Sequence, residues 1–137
     1  MSALPQNEAR TGVRPRVLIA DDDPVVRAHL GMAMEAQYDV VAVADAAAAV
    51  SQAVATLPDA AIVDVDMPGG GAPHAVHGIA AGSPATAIVV LSGDESRKLV
   101  VDLLTAGATT YVRKGISTQD LAETIERSIR AHAVAST

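Results

Sequence analysis

Short apolar runs alternate with longer stretches whose apolar residues recur at helical spacing. The short runs are rich in small and β-branched residues, which predicts buried β-strands. The longer stretches predict amphipathic helices. The predicted strands cover 16–20, 38–43, 60–63, 87–91 and 109–112. The predicted helices cover 24–36, 46–57, 73–81 and 95–106, and a last one follows Ser117.

Punctuating residues support these boundaries. Pro24 suits the first turn of a helix, where its missing N–H is not needed. Asp45 and Ser117 are typical N-caps, and Gly107 suits the position just after a helix. Residues 67–73 (MPGGGAP) predict a loop, because consecutive glycines gain little from helix or sheet.

This order of elements is β-α repeated five times. Strands that are apolar on both faces and alternate with helices predict a parallel sheet covered on both sides. We therefore expect a fold of the α/β class, a single doubly wound (βα)5 domain with strand order 2-1-3-4-5. Its site should lie at the carboxyl ends of strands 1 and 3. We expect residues 1–15 to form a flexible tail and residues 16–132 to form the domain. Residues 133–137 are expected to be a fraying end or the start of a linker.

Composition excludes several functions. The 137 residues include no Phe, no Trp and two Tyr, and the formal charge is −6. This counts against base stacking and against a duplex-DNA surface, which needs clustered cations. The absence of cysteine excludes disulfides, thiolate catalysis and cysteine-based zinc sites. There is no apolar run near the roughly 20 residues of a membrane span and no signal-peptide pattern, so a cytoplasmic location is expected.

Chemically active residues follow the predicted strands. Clustered carboxylates repel one another, so at least three together suggest a bound cation such as Mg²⁺, with Mn²⁺ as an alternative. A cation beside a carboxylate enables phosphoryl transfer to it, with Asp64 as nucleophile, Lys114 as cationic clamp and Ser92 as hydroxyl donor. The residues at the strand ends are Asp21, Asp22, Asp23, Asp64, Asp66, Ser92 and Lys114.

Four stretches in this order resemble the receiver domains of two-component response regulators. They are VLIADDDPVVR (17–27), AIVDVDMP (61–68), IVVLSGD (88–94) and AGATTYVRKG (106–115). The resemblance covers about residues 16–132 and implies a flavodoxin-like receiver fold. It also implies a signalling domain, not an enzyme, that assists its own phosphorylation and dephosphorylation.

The resemblance assigns a role to each matching residue. It makes Asp64 the phosphoacceptor and a metal ligand, Asp22 a direct ligand, and Asp21 a ligand through water. Asp66 contributes its backbone carbonyl to the metal. Ser92 is the switch hydroxyl, Lys114 pairs with the phosphoryl group, and Tyr111 is the switch aromatic. The implied cofactor is Mg²⁺. The implied partners are a histidine kinase or phosphotransfer protein, an output domain or partner protein on the 95–132 face, and a second copy in a homodimer, with no direct nucleic-acid or membrane partner.

The chain departs from the family pattern at three places. Gly115 stands where proline usually follows the lysine, which puts the rigidity of the Lys114 loop in question. Ala72 replaces a common glycine. Asp66 and Asp94 flank the route of the hydrolytic water, so we expect them to tune hydrolysis in a direction that the sequence does not give.

Simpler and competing interpretations remain open at this point. The three acids at 21–23 could form a loop that caps the next helix, with Asp23 as the N-cap. A phosphorylation-independent pseudo-receiver would bind a partner without chemistry. The sequence Asp64-Val65-Asp66 is also similar to the nucleophile motif of Mg²⁺-dependent haloacid-dehalogenase-type phosphatases, although there the motif normally lies at the first strand.

Overall fold

The computed structural model describes residues 14–68, 71–93 and 97–135. The strands are β1 (Arg16–Ala20), β2 (Asp39–Val43), β3 (Ala60–Asp64), β4 (Ala87–Ser92) and β5 (Thr110–Arg113). The helices are α1 (Pro24–Met34), α2 (Ala46–Thr56), α3 (Gly71–Gly82), α4 (Arg97–Ala106) and α5 (Thr118–Ala135). All pairings are parallel and the strand order is β2-β1-β3-β4-β5, which confirms the predicted doubly wound fold.

Two hydrophobic clusters lie on opposite faces of the sheet. On one face, α1 and α5 pack through side chains such as Leu30, Met34, Leu121 and Ile125. On the other, α2 and α3 pack closely through small residues. A Cβ on Gly78 would lie 2.4 Å from Val50 Cγ2, so the two helices approach at a distance that only glycine permits at this position. Small residues therefore allow α2 and α3 to pack closely against each other.

The predicted loop 67–73 is wrong at its carboxyl end, because α3 already begins at Gly71. Ala72, Ala75 and Val76 are buried against the core, and this burial stabilises a first turn that glycine propensity alone disfavours. Residues 69 and 70 lie outside the described part of the chain.

Other boundaries shift by a few residues. The helix predicted over 46–57 ends at Thr56, because Leu57 adopts a left-handed conformation with φ of 49°. The last helix continues to Ala135, and the assignment of 133–137 to a fraying end or the start of a linker stays a prediction. Residues 1–13, the predicted helix start at 95–96 and residues 136–137 lie outside the described residues. The domain limits 16–132 stay a prediction.

Candidate functional site

Two buried carboxylates meet at the carboxyl ends of the neighbouring strands β1 and β3. Asp64 is the last residue of β3, and Asp21 directly follows β1. These strands pair in register up to Ala20 and Val63, which places the two acids side by side. Each is only 3% exposed. Carboxylate oxygens of Asp21, Asp22 and Asp64 all lie within 4.8 Å of one another, with Asp22 at the exposed side. The predicted acidic cluster is therefore assembled.

The loop between β1 and α1 divides its three acids between two tasks. Asp23 caps α1, because its Oδ1 accepts the backbone N–H of Val25 at 2.9 Å and that of Val26 at 3.4 Å. The N–H of Asp23 in turn donates to Asp21 Oδ1 at 2.9 Å. The capping interpretation therefore holds for Asp23, whereas Asp21 and Asp22 join Asp64.

Lys114 supplies positive charge to this cluster. Its Nζ lies 2.8 Å from Asp64 Oδ1 and 3.4 Å from Asp66 Oδ2. Its backbone N–H donates to the carbonyl of Ser92 at 2.8 Å, which ties the loop after β5 to the end of β4. The contact with Asp64 Oδ1 lacks the angles of a hydrogen bond, so this buried oxygen has an ion-pair partner but no hydrogen-bond donor among the described residues.

Burial and charge shift two pKa values in this cluster. The pKa of Asp21 is raised above its usual 3.8, chiefly by desolvation and further by the neighbouring charges of Asp64 and Asp22. Together these effects outweigh the Asp23 N–H and the charge of Lys114, which both lower the pKa. Desolvation alone would lower the pKa of Lys114, but the close approach of Asp64 and then Asp66 raises it overall. Lys114 therefore remains a cation at neutral pH.

These residues fit a hard divalent cation. Three carboxylates converge, and the buried Asp64 Oδ1 has no hydrogen-bond donor to satisfy it. Oxygen ligands of this kind suit Mg²⁺, which takes one or two carboxylates and keeps several waters. The arrangement can therefore hold such an ion against Asp64 while Lys114 approaches the same carboxylate from the β5 side.

The other predicted residues lie around this cluster. Ser92 ends β4 and is buried, one residue beyond Leu91, which pairs with Asp64. Tyr111 lies on β5 with 47% of its surface exposed, so its side chain is turned towards solvent. Gly115 has φ of +94°, a conformation closed to the proline that usually occupies this position. Asp94 lies outside the described residues.

The acids line one end of a larger cleft. Its volume is about 530 Å³, and its other walls are apolar side chains of α1, the loop after β5 and α5, among them Val26, Leu30, Ile116 and Leu121. The cleft therefore leaves space beside the carboxylates for an incoming group.

Arg27 also contacts this site, a position that the sequence pattern did not predict. Arg27 Nη1 donates to the backbone carbonyl of Asp21 at 2.8 Å. The signal was a cation in the first turn of α1, where the helix dipole favours acids instead. An unfavourable charge at a helix start indicates a separate role for that side chain.

Comparisons with known proteins agree with this fold. The family model of the response regulator receiver domain matches residues 17–126. The transcriptional regulatory protein PdtaR of Mycobacterium tuberculosis is 38% identical over 127 residues, which covers 91% of this chain and 62% of that protein. The chain thus spans about three-fifths of the length of the first curated relatives that it matches, 56% and 62%.

Solved structures share the fold. A CheY-like response regulator receiver domain from Methanospirillum hungatei superimposes with a TM-score of 0.83 at 23% identity, covering 89% of this chain and 98% of that one. The receiver domain of a Pseudomonas aeruginosa sensor histidine kinase, with a magnesium ion coordinated in its active site cleft, gives 0.77 at 24% identity, covering 85% and 98%. None of the helices in the described ranges is long and apolar enough to cross a membrane.

Proposed function

Because the chain belongs to the response-regulator receiver family, we propose that Asp64 accepts a phosphoryl group from a histidine kinase or phosphotransfer protein. One observation carries this proposal. A buried carboxylate without a hydrogen-bond donor on Oδ1 lies within 4.8 Å of two further acids and 2.8 Å from a lysine ammonium. Such a group is costly to keep unless chemistry requires it.

The transfer forms one bond and breaks one. An Asp64 carboxylate oxygen attacks the phosphorus, the bond from phosphorus to the donor's histidine nitrogen breaks, and that nitrogen leaves with the bonding electron pair. The product is an acyl phosphate on Asp64. Lys114 then pairs with a phosphoryl oxygen, because its ammonium already lies beside the attacking carboxylate.

Mg²⁺ is the cofactor that these residues fit. Asp22 and Asp64 would be direct ligands, Asp21 would act through a water molecule, and the backbone carbonyl of Asp66 would complete the protein's share. When bound, the ion supplies charge that neutralises the equatorial oxygens of the transferring group. Mn²⁺ suits the same oxygen ligands and is the alternative ion.

Phosphorylation would change the surface of β5 and its neighbouring helices. The phosphoryl group adds nearly two negative charges and strong acceptor oxygens. In this proposal Ser92 donates its hydroxyl to one of them, and Tyr111, now exposed, turns inward. The face around 95–132 would then favour an output domain, a partner protein or a second copy. This is a shift between two populated states.

Asp66 and Asp94 remain our candidates for tuning hydrolysis. The Asp66 carboxylate is 71% exposed and lies 3.4 Å from Lys114 Nζ, so it competes with Asp64 and the phosphoryl group for the same ammonium. In this proposal the domain assists its own phosphorylation and dephosphorylation without being a conventional enzyme.

The test is intact-protein mass spectrometry after incubation with acetyl phosphate and Mg²⁺. We expect the mass of one phosphoryl group on the wild type, its loss on chelation of Mg²⁺, and no gain for Asp64→Asn. Asp102→Asn, which changes an exposed acid on α4, is the matched control and should gain the same mass.

Other outcomes distinguish the competing functions. Mg²⁺ binding without any mass gain would favour a pseudo-receiver, and turnover of p-nitrophenyl phosphate would favour a phosphatase. Phosphorylation of Asp64→Asn at the wild-type level would show that the acceptor is another residue.

A further inference from the structure

Arg27 turns back from the first turn of α1 towards the acidic loop. Its backbone N–H makes the first helical hydrogen bond, to the carbonyl of Asp23 at 2.9 Å. Its guanidinium instead donates to the carbonyl of Asp21 at 2.8 Å, in a partly buried setting. A hydrogen bond from a charged donor is stronger than a neutral one, so this contact anchors the loop.

The carbonyl that Arg27 holds belongs to the peptide group joining the two site acids. A peptide group is planar and includes both flanking Cα atoms, so a fixed Asp21 carbonyl also fixes the Cα of Asp22. Asp21 is held by two more bonds, from its N–H to the carbonyl of Val43 at 3.1 Å and from the Asp23 N–H to its Oδ1 at 2.9 Å. Asp22 is exposed, so its direction depends on this peptide plane.

We infer that Arg27 is a positioning residue for the metal site: by holding the Asp21–Asp22 peptide, it keeps the Asp22 carboxylate directed towards Asp21 and Asp64. This inference rests on the proposed function, because Mg²⁺ is the ligand that Asp22 would bind. It assigns no direct contact between Arg27 and the ion.

Charge and geometry give opposite expectations for Arg27, which makes the inference easy to test. A nearby cation repels Mg²⁺, so removal of Arg27 would strengthen metal binding if charge were its only influence. If Arg27 positions the loop, its removal weakens metal binding. Residues that orient metal ligands typically change metal affinity by roughly 10- to 100-fold when replaced.

The experiment is calorimetric titration of the whole chain with Mg²⁺ alone. We expect the dissociation constant to rise by roughly 10- to 100-fold for Arg27→Met. Arg27→Lys keeps the charge and one N–H donor group, so it should give an intermediate value. Arg130→Met is the matched control, because it also removes one positive charge but from an exposed pair with Glu126 on α5.

Thermal unfolding in EDTA accompanies the titration and sets a temperature at which each variant is folded. Weaker binding by folded Arg27→Met, with Arg130→Met unchanged, supports the inference. Binding by Arg27→Met that equals or exceeds the wild type overturns it and leaves the metal site standing. A wild type that binds no Mg²⁺ overturns the proposed metal site and the inference together.

Discussion

Buried polar side chains lie at both edges of the sheet, and their surroundings differ. At the amino-end edge, Ser83 Oγ and Thr86 Oγ1 are hydrogen-bonded at 2.6 Å, and Thr86 Oγ1 donates to the carbonyl of Pro58 at 2.7 Å. The Asp59 carboxylate at this edge accepts the N–H of Arg16 at 2.7 Å. Polar groups here join neighbouring segments to one another.

At the carboxyl-end edge, the polar groups repel one another instead. Three carboxylates share a space of 4.8 Å, and Asp64 Oδ1 is the one buried side-chain oxygen or nitrogen of the described residues without a hydrogen-bond partner. Lys114 offsets part of this repulsion by pairing with Asp64 Oδ1 at 2.8 Å. Because clustered carboxylates destabilise one another's charged forms, we expect the amino-end edge to stabilise the domain and the carboxyl-end edge to gain stability when a cation binds.

The largest effect is expected from Lys114→Met. Lys114 provides the ammonium 2.8 Å from Asp64, and removal of a group that stabilises developing charge typically costs about 10²- to 10³-fold in rate. We expect phosphorylation by acetyl phosphate to slow by that factor, followed by intact mass against time. Lys98→Met, which removes an exposed lysine paired with Asp102, should leave the rate unchanged. A rate for Lys114→Met near the wild type would remove this residue from the transfer.

Mg²⁺ should stabilise the folded domain by binding the carboxylates at the carboxyl-end edge. A ligand that binds only the folded state at 100 times its dissociation constant stabilises it by about 2.7 kcal/mol. We expect MgCl₂ to raise the free energy of unfolding in urea by about that amount, at constant ionic strength. Asp22→Ala should lose the increment and the exposed Asp102→Ala should keep it. Equal stability of the wild type with and without Mg²⁺ would contradict the proposed ion site.

Thr86→Val should show the opposite pattern to the site variants. It removes a buried hydroxyl that bonds both Ser83 and Pro58, and the groups left unsatisfied typically cost about 1–3 kcal/mol. We expect that loss in urea unfolding, with phosphorylation of Asp64 retained. Thr105→Val, on the exposed face of α4, is the control. A stable Thr86→Val protein that no longer accepts phosphate would break the separation between the two edges.

The fold could be predicted from sequence because its central strands are formed by apolar runs. The run 60–63 is buried throughout, as is 87–91, so a strand in a covered parallel sheet was the simplest interpretation. The start of α3 at Gly71 could not be predicted in this way. It depends on burial of Ala72 and Ala75, a tertiary effect that local glycine propensity does not contain.

The acidic cluster could also be predicted, because parallel strands deliver their carboxyl ends to one edge. Asp21 and Asp64 come together for that reason alone. Long side chains that cross between loops could not be predicted. The reach of Lys114 to Asp66 and that of Arg27 to Asp21 depend on backbone paths absent from any local pattern. Similarly, Gly115 was visible as a departure, but its positive φ was not.

Asp21→Asn should give the smallest change, and it tests whether the buried charge of Asp21 destabilises the metal-free fold. The folded-state pKa of Asp21 is raised above its usual 3.8, chiefly by desolvation. The native state therefore holds this proton more tightly than the unfolded state, and stability falls as pH rises through the folded-state pKa. Ionised Asp21 thus destabilises the metal-free fold at neutral pH. We expect Asp21→Asn to be more stable than the wild type at pH 7 in EDTA.

This difference should shrink as pH falls and vanish below about 3.8, where Asp21 is protonated in both states. Asp39→Asn, at an exposed position of β2, should show no comparable gain, and urea unfolding across pH measures both. Saturating Mg²⁺ should reverse the order of stability. The wild type gains stability from ion binding, whereas Asp21→Asn lacks a carboxylate that contributes to this binding. An Asp21→Asn protein that is less stable than the wild type in EDTA at pH 7 would show that the buried charge of Asp21 does not destabilise the metal-free fold.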